Sequence, residues 1–293
     1  MADKVTRDEA TGVDTTGHEW DGIRELNNPL PRWWLWIFYA TIVYALIYTI
    51  AYPAWPMVNR ATGGLLGYST RGEVAAEIER VEAQNAEVSA ELAAADLTTL
   101  DPASPAFHYG MAGGAAVFRA NCSQCHGAGA AGAKGYPNLL DDDWLWGGDL
   151  AAIEYTVRHG IRNETDFDAR YSEMPAFGEM LEDEEIASVV EHVLAISGSD
   201  HDADLAEAGA VVFADNCASC HGDAGTGDRE QGAPNLTDAI WLYGGDRETV
   251  TETVTNSRYG VMPPWAPRLS EAEIKAVTLY VHGLGGGEAT PAQ

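Results

Sequence analysis

The chain has 293 residues, 46% of them hydrophobic, with 17 Lys and Arg against 45 Asp and Glu for a formal charge of −28. So acidic a balance excludes a nucleic-acid binder, which needs clustered basic side chains to meet phosphate. The composition also excludes a disordered chain and a multi-span membrane protein, and four cysteines are too few for a disulfide scaffold of this length.

Residues 1–32 form a polar N-terminal segment. Residues 33–52 then run without a formal charge, enough at about 1.5 Å per residue to cross roughly 30 Å of hydrocarbon. Trp33, Trp34 and Trp36 at one end and Tyr52 and Trp55 at the other form aromatic belts, and Pro53 and Pro56 break the helix at its exit. The transmembrane anchor is therefore read as residues 33–55. A cleavable signal peptide fits poorly, because the apolar run starts late, is too long and lacks a following A-x-A site. Lys4, Arg7, Arg24 and Arg32 precede the span and only Arg60 and Arg71 lie close behind it, which places the N-terminus inside.

Residues 56–105 read as a spacer and linker. Strong helix formers fill residues 71–95, with Val74, Ile78, Val81, Asn85, Val88 and Leu92 spaced alternately by four and three. This stripe suits a spacer helix lying on a partner surface, with a self-associating coiled coil as the alternative. Asp101-Pro102 and Ser104-Pro105 then mark the linker.

Everything after Pro105 is written twice, as residues 106–198 and 199–293. Gly114, Phe118 and the run Cys122 to Gly127 match Gly209, Phe213 and the run Cys217 to Gly222. Pro137-Asn138-Leu139 matches Pro234-Asn235-Leu236, and Trp144 to Asp149 matches Trp241 to Asp246. Arg158 matches Arg258, Met174-Pro175 matches Met262-Pro263, and a closing helix follows in each copy. Ile186, Val189, Val190 and Val193 share one face of the first closing helix, as Ile274, Val277, Tyr280 and Val281 do in the second. The first copy carries 12 extra residues, 162–173. No run of alternating strands is present, so the fold class is all-α.

All four cysteines fall in Cys-x-x-Cys-His motifs, at 122–126 and 217–221. Two intervening residues bring both thiols to one edge of a flat ligand for thioether bonds to haem vinyl groups, and the adjoining imidazole reaches the iron. Structural zinc uses paired CxxC motifs but requires no His directly after each pair, and a thioredoxin-like pair needs a βαβ context that the sequence lacks. Two covalent haem c groups are expected, on Cys122 and Cys125 and on Cys217 and Cys220, with His126 and His221 as proximal ligands. A Met or a second His would complete each iron. Met174 and Met262 alone coincide between the copies, whereas His159 aligns with Tyr259 and His192 with Tyr280. Arg158 and Arg258, the one basic pair kept in both copies, are candidates for haem propionates, a solvated surface pair being the alternative.

CxxCH, a following Pro-Asn-Leu and a later Met-Pro before a closing helix resemble class I cytochrome c domains. The resemblance implies that Pro137 and Pro234 accept a hydrogen bond from the proximal imidazole and that Trp144 and Trp241 belong to the haem surroundings. It also implies that Gly114 with Phe118, and Gly209 with Phe213, pack on the closing helix, where His192 departs from the usual aromatic. Residues 16–34, TGHEWDGIRELNNPLPRWW, running into one span and two such domains, further resemble the dihaem subunit of cbb3-type cytochrome c oxidases.

That likeness implies a relay from a soluble or membrane-tethered donor cytochrome c to the haem b and copper catalytic subunit, beside a monohaem cytochrome c subunit. It implies no catalytic centre in this chain, and a place in the bacterial cytoplasmic membrane with the haem domains periplasmic. Two other functions compete: a dihaem cytochrome c peroxidase, whose halves should differ at the distal ligand, and a membrane-anchored dihaem cytochrome serving a dehydrogenase. Each repeat carries 15 acidic and 5 basic side chains, so a basic donor would be steered to either.

Overall fold

The computed structural model describes residues 5–289 and is mainly helical. It divides into two compact units, one ending at Ala83 and one beginning at Gln84. In the first, β1 (Thr15–Trp20) and β2 (Ile23–Leu26) pair antiparallel, with Trp20 opposite Ile23. Asp21 and Gly22 join them at φ of 49° and 82°, the doubly left-handed turn that matches strand twist. This hairpin adds a small sheet to the expected helices; its flanking runs are too short and too polar for alternation to announce it, though Asp-Gly is a turn signal.

The apolar helix α1 (Arg32–Ala51) has 20 residues, none of them buried, and a mean hydropathy of 1.7. It ends four residues before the expected limit of 55. Tyr52 precedes Pro53 and takes the extended φ/ψ of −113° and 162° that a following proline favours. Helix α2 (Thr70–Ala94) follows, with Val74, Ile78 and Val81 exposed. Its last turns belong to the second unit, where Leu92 is fully buried with Leu97, Ala106, Ala276 and Leu279. Lys275 Nζ donates to the carbonyls of Ala93 and Ala95 at 2.8 and 2.6 Å, satisfying the helix C-terminus.

Each repeat contributes four helices to the second unit. The first supplies α3 (Pro105–Val117), a π-helical turn over Phe118–Cys122, α4 (Ser123–His126), α5 (Leu150–His159) and α6 (Asp183–Ile196). The second supplies α7 (Ala203–Asn216), α8 (Ala218–His221), α9 (Arg247–Asn256) and α10 (Glu271–His282). Caps fix the starts at equivalent places: Asp149 accepts from Ala151 N and Ala152 N on α5, and Asp246 from Thr249 N on α9.

The packing crosses the expected boundary between 106–198 and 199–293. Helix α3 packs on α10, and α6 packs on α7, so each opening helix meets the closing helix of the other repeat. One core joins Phe118, Ile153 and Val157 of the first repeat to Ile274, Val277 and Val281 of the second. The other joins Phe177, Ile186, Val189, Val190 and Val193 to Phe213, Val250 and Val254. Six residues, 197–202, connect α6 to α7, and so short a link makes these consecutive helices direct neighbours. Helix α10 is left to close on α3.

Both crossings need glycine. A Cβ on Gly114 would lie 2.0 Å from Ala276 O, and one on Gly209 would lie 1.9 Å from Ser188 O. The expected glycine and aromatic contacts therefore form, but with the other repeat's helix: Phe118 meets Tyr280 at 5.5 Å between ring centroids, and Phe213 meets His192 at 5.1 Å. Ion pairs repeat the exchange, with Arg158 of α5 on Glu271 of α10 and Arg247 of α9 on Glu191 of α6.

Candidate functional site

Gly127 and Gly222, at φ of 80° and 76°, end the short helices α4 and α8 directly after each CxxCH. The chain turns there and brings a proline carbonyl back over each histidine. His126 Nδ1 lies 3.1 Å from Pro137 O and His221 Nδ1 3.0 Å from Pro234 O. A carbonyl only accepts, so Nδ1 carries the hydrogen in both rings and Nε2 keeps its lone pair. Burial pushes both imidazole pKa values down, partly opposed by the proline carbonyl, so both rings stay neutral and able to ligate.

Burial, with a smaller push from the neighbouring cysteine, raises the Cys122 and Cys217 thiols to about 11. They are held as thiols, without a disulfide. Zinc would require at least three of these donors to converge. Among the described residues, the one His, Cys, Asp or Glu group whose ligand atoms converge is His159, Asp166 and Asp168, none of them in either motif.

The methionines follow the crossed packing. Met262 packs with Cys122 against the core of α3, α5 and α10, while Met174 packs with Cys217 against the core of α6, α7 and α9. Met174, Cys217, Cys220 and His221 line one cavity of about 560 Å³. The sequence repeat places His126 in the same copy as Met174, but the fold brings Met262 to Cys122 instead. Met180 and Met57 are exposed and Met111 lies against Gly283, which leaves Met174 and Met262, among the described residues, as the methionines packed on the cores that hold Cys217 and Cys122.

Trp144 packs on the first core and Trp241 on the second, and Trp144 Nε1 donates to Gly286 O at 2.7 Å. The aligned arginines part company. Arg158 is ion-paired with Glu154 and Glu271, which hold its pKa up. Arg258 lines the cavity, lies 4.7 Å from the Tyr243 ring centroid and donates to Thr249 O and Thr253 Oγ1.

Sequence reasoning missed the seam between the repeats. Trp146 packs on Gly232 of the second repeat, where a Cβ would lie 2.2 Å from the indole, and Tyr243 packs reciprocally on Gly135. The inserted residues 162–173 add Arg162 and Arg170, both over the Trp146 ring. Their signal was the insertion itself.

The donor set fits haem c. Each motif offers two free thiols and an imidazole with Nε2 available; Met174 shares a cavity with the second motif, and Met262 shares with Cys122 the core on which both pack. Trp146 Nε1 and Arg170 Nε are buried donors without an acceptor among the described residues, and haem carboxylates supply acceptors of the right chemistry.

Two c-type helical folds behind a helix long and apolar enough to cross a membrane define a c-type cytochrome. Residues 12–59 match the family described as the N-terminal domain of cytochrome oxidase-cbb3, FixP, and residues 110–193 and 204–281 match that described as cytochrome c oxidase, cbb3-type, subunit III. A CcoP subunit of cbb3-type cytochrome c oxidase from Cereibacter sphaeroides is 61% identical over 98% of this chain and 100% of its own length. A FixP subunit from Sinorhizobium medicae is 50% identical over 98% of this chain and 100% of its own length, and a CcoP subunit from Rhodobacter capsulatus 53% identical over 94% and 97%. The chain belongs to the cbb3-type cytochrome c oxidase subunit III family, the CcoP/FixP subunits. It is an electron-transfer subunit that relays electrons to the catalytic subunit of that oxidase. The peroxidase and dehydrogenase alternatives fall away.

Proposed function

We propose that this subunit carries two haem c groups whose axial ligands come from opposite repeats, His126 with Met262 and His221 with Met174. The crossed packing of Met262 with Cys122 and of Met174 with Cys217 supports this reading above all else. Haem c supplies reversible one-electron exchange when bound. Around it the protein has three tasks. Cys122, Cys125, Cys217 and Cys220 anchor it, the carbonyls of Pro137 and Pro234 hold the imidazoles in one tautomer, and the two cores keep water from the ligands.

The partners within the oxidase are the haem b and copper catalytic subunit and the monohaem cytochrome c subunit, and a soluble or tethered cytochrome c donates electrons. Attachment at CxxCH is completed outside the cytoplasmic membrane, so α1 holds the chain in that membrane with both cytochrome domains periplasmic and residues 1–32 cytoplasmic. The 20-residue apolar helix with its aromatic ends supports the single span.

A single-haem variant tests the crossed ligands. In Cys122→Ala/Cys125→Ala, which keeps the attachment site at 217–221, Met174→His should abolish the Met-to-iron charge-transfer band while Met262→His leaves it intact. The reverse result would restore ligation within each repeat. Loss of both haems from denatured wild-type protein into acid-acetone would reject covalent attachment.

A further inference from the structure

The insert 162–173 is what distinguishes the two repeats at the methionine loop, since in the second copy Val261 runs straight into Met262. It is tied at both ends to the proposed distal ligands. Ile161 N donates to Met262 O at 2.9 Å and Met262 N to Ile161 O at 3.0 Å, while the insert's last residue, Glu173, precedes Met174. Arg162 opens the insert with φ of 51°, a left-handed conformation unfavourable for a residue with a side chain. Arg162 N donates to Arg170 O at 2.8 Å and Arg170 N to Gly160 O at 3.2 Å, which holds that conformation closed. Strain maintained in this way aims a side chain.

The guanidinium is aimed into the seam. Its Nε donates to Ser172 O and one terminal nitrogen to Gly260 O at 3.2 Å, and the Trp146 and Tyr259 rings each have their centroid 5.8 Å from its central carbon. Among the described residues it has no ion pair, although the chain is strongly acidic. Burial lowers its pKa, partly opposed by Glu173. A half-buried cation with unused N–H donors is unfavourable until an anion meets it. Arg162 lines the cavity that holds Cys217, His221 and Met174.

We propose that Arg162 is the charge partner of a haem propionate at the His221 and Met174 site, and that it raises that site's reduction potential above that of the other. This rests on the two-haem reading above. A planar fork with free donors matches a carboxylate, and a fixed positive charge favours the state that has gained an electron. The second repeat supplies no aligned equivalent for the site of His126 and Met262, since it lacks the insert, and Arg158 is ion-paired with Glu154 and Glu271.

The test is redox potentiometry of the full chain in mild detergent, followed in the visible α-band, with thermal unfolding as a check on folding. Two one-electron waves in the wild type, one of them displaced by Met174→His, establish the two-haem reading and identify the wave; their absence would sink that reading itself. Arg162→Gln should then lower the identified wave by about tenfold in its reduction equilibrium, about 59 mV for one electron. Arg162→Lys should retain at least half of the difference, and Arg119→Gln, which removes an exposed charge, should move neither wave appreciably. With two waves present, an unchanged identified wave in Arg162→Gln, or an equal fall in both waves, would overturn the proposal. Should Arg162→Gln not fold, resonance Raman spectra of the wild type and Arg162→Lys decide. A propionate bending mode at lower frequency in the lysine variant supports the contact, and an unchanged mode rejects it.

Discussion

Asp143 stands where the second repeat has Ile240, and both side chains line the cavity at the seam. Burial foremost, with Asp238, Asp141 and Asp142 adding to it against the opposing charge of Arg229, raises its carboxyl pKa to about 6. In the unfolded chain an aspartate titrates near about 4. The folded state therefore binds the proton more tightly, so stability falls as pH rises from about 4 to about 6, and the penalty is complete above that window. Asp143→Asn should stabilise the protein by about 1 kcal/mol at pH 7, after allowance for solvent screening, and by nothing at pH 3.5. Denaturant unfolding at the two pH values measures the difference. A charge at an otherwise apolar repeat position was visible in the sequence. That Asp238 would face it from the other copy was not, because the two lie 95 positions apart and meet only through the fold.

At the scale of elements, Gly114 and Gly209 decide whether the opening and closing helices can touch. An added methyl at either would overlap the backbone of α10 or α6, forcing apart a crossing that carries a whole core, at a cost of about 1–3 kcal/mol or more. Gly113 is the internal control, because a Cβ there meets nothing nearer than the Ala276 Cβ at 4.0 Å. Gly114→Ala and Gly209→Ala should lower the melting temperature by several degrees. Gly113→Ala should leave it unchanged or raise it slightly, since alanine is the better helix former by about 0.5–1 kcal/mol. Equal effects at all three glycines would remove the close approach as the cause. The spacing of each glycine before its Phe and CxxCH was legible from the repeat, but periodicity cannot say which closing helix fills the groove, because α6 and α10 present equivalent apolar faces.

For the whole molecule, exchanged closing helices make the two cytochrome domains one cooperative unit. A chain cut to residues 106–198 would lose α10 and Met262 from its first core and leave α6 without α7. Expressed alone with haem attachment, it should show no monomeric Met-to-iron band, whereas residues 84–293 should unfold in one transition from an intact pair of sites. A stable, Met-ligated monomer of 106–198 would show that the closing helix can return to its own repeat. Charge acts at the same scale: with 15 acidic side chains against 5 basic in each repeat, reduction by a basic cytochrome c should slow steeply as salt rises toward physiological strength, where the Debye length is about 8 Å. A rate flat in ionic strength would leave the docking to tethering rather than to steering.

Covalent chemistry and local periodicity were determined by the sequence itself. Cys122, Cys125 and His126 lie close in the chain, as do Cys217, Cys220 and His221, so the haem attachment proposed for them needs no tertiary information. An uncharged run as long as α1 identifies its apolar environment in the same local way. The tertiary structure alone decided the partners: Met262 rather than Met174 beside Cys122, Arg158 on Glu271, and Arg162 at the seam. Two copies with equivalent apolar faces leave helix packing within or between repeats equally well patterned. The six-residue link from α6 to α7, with close approaches that glycine permits, resolves that degeneracy through geometry that no single repeat contains.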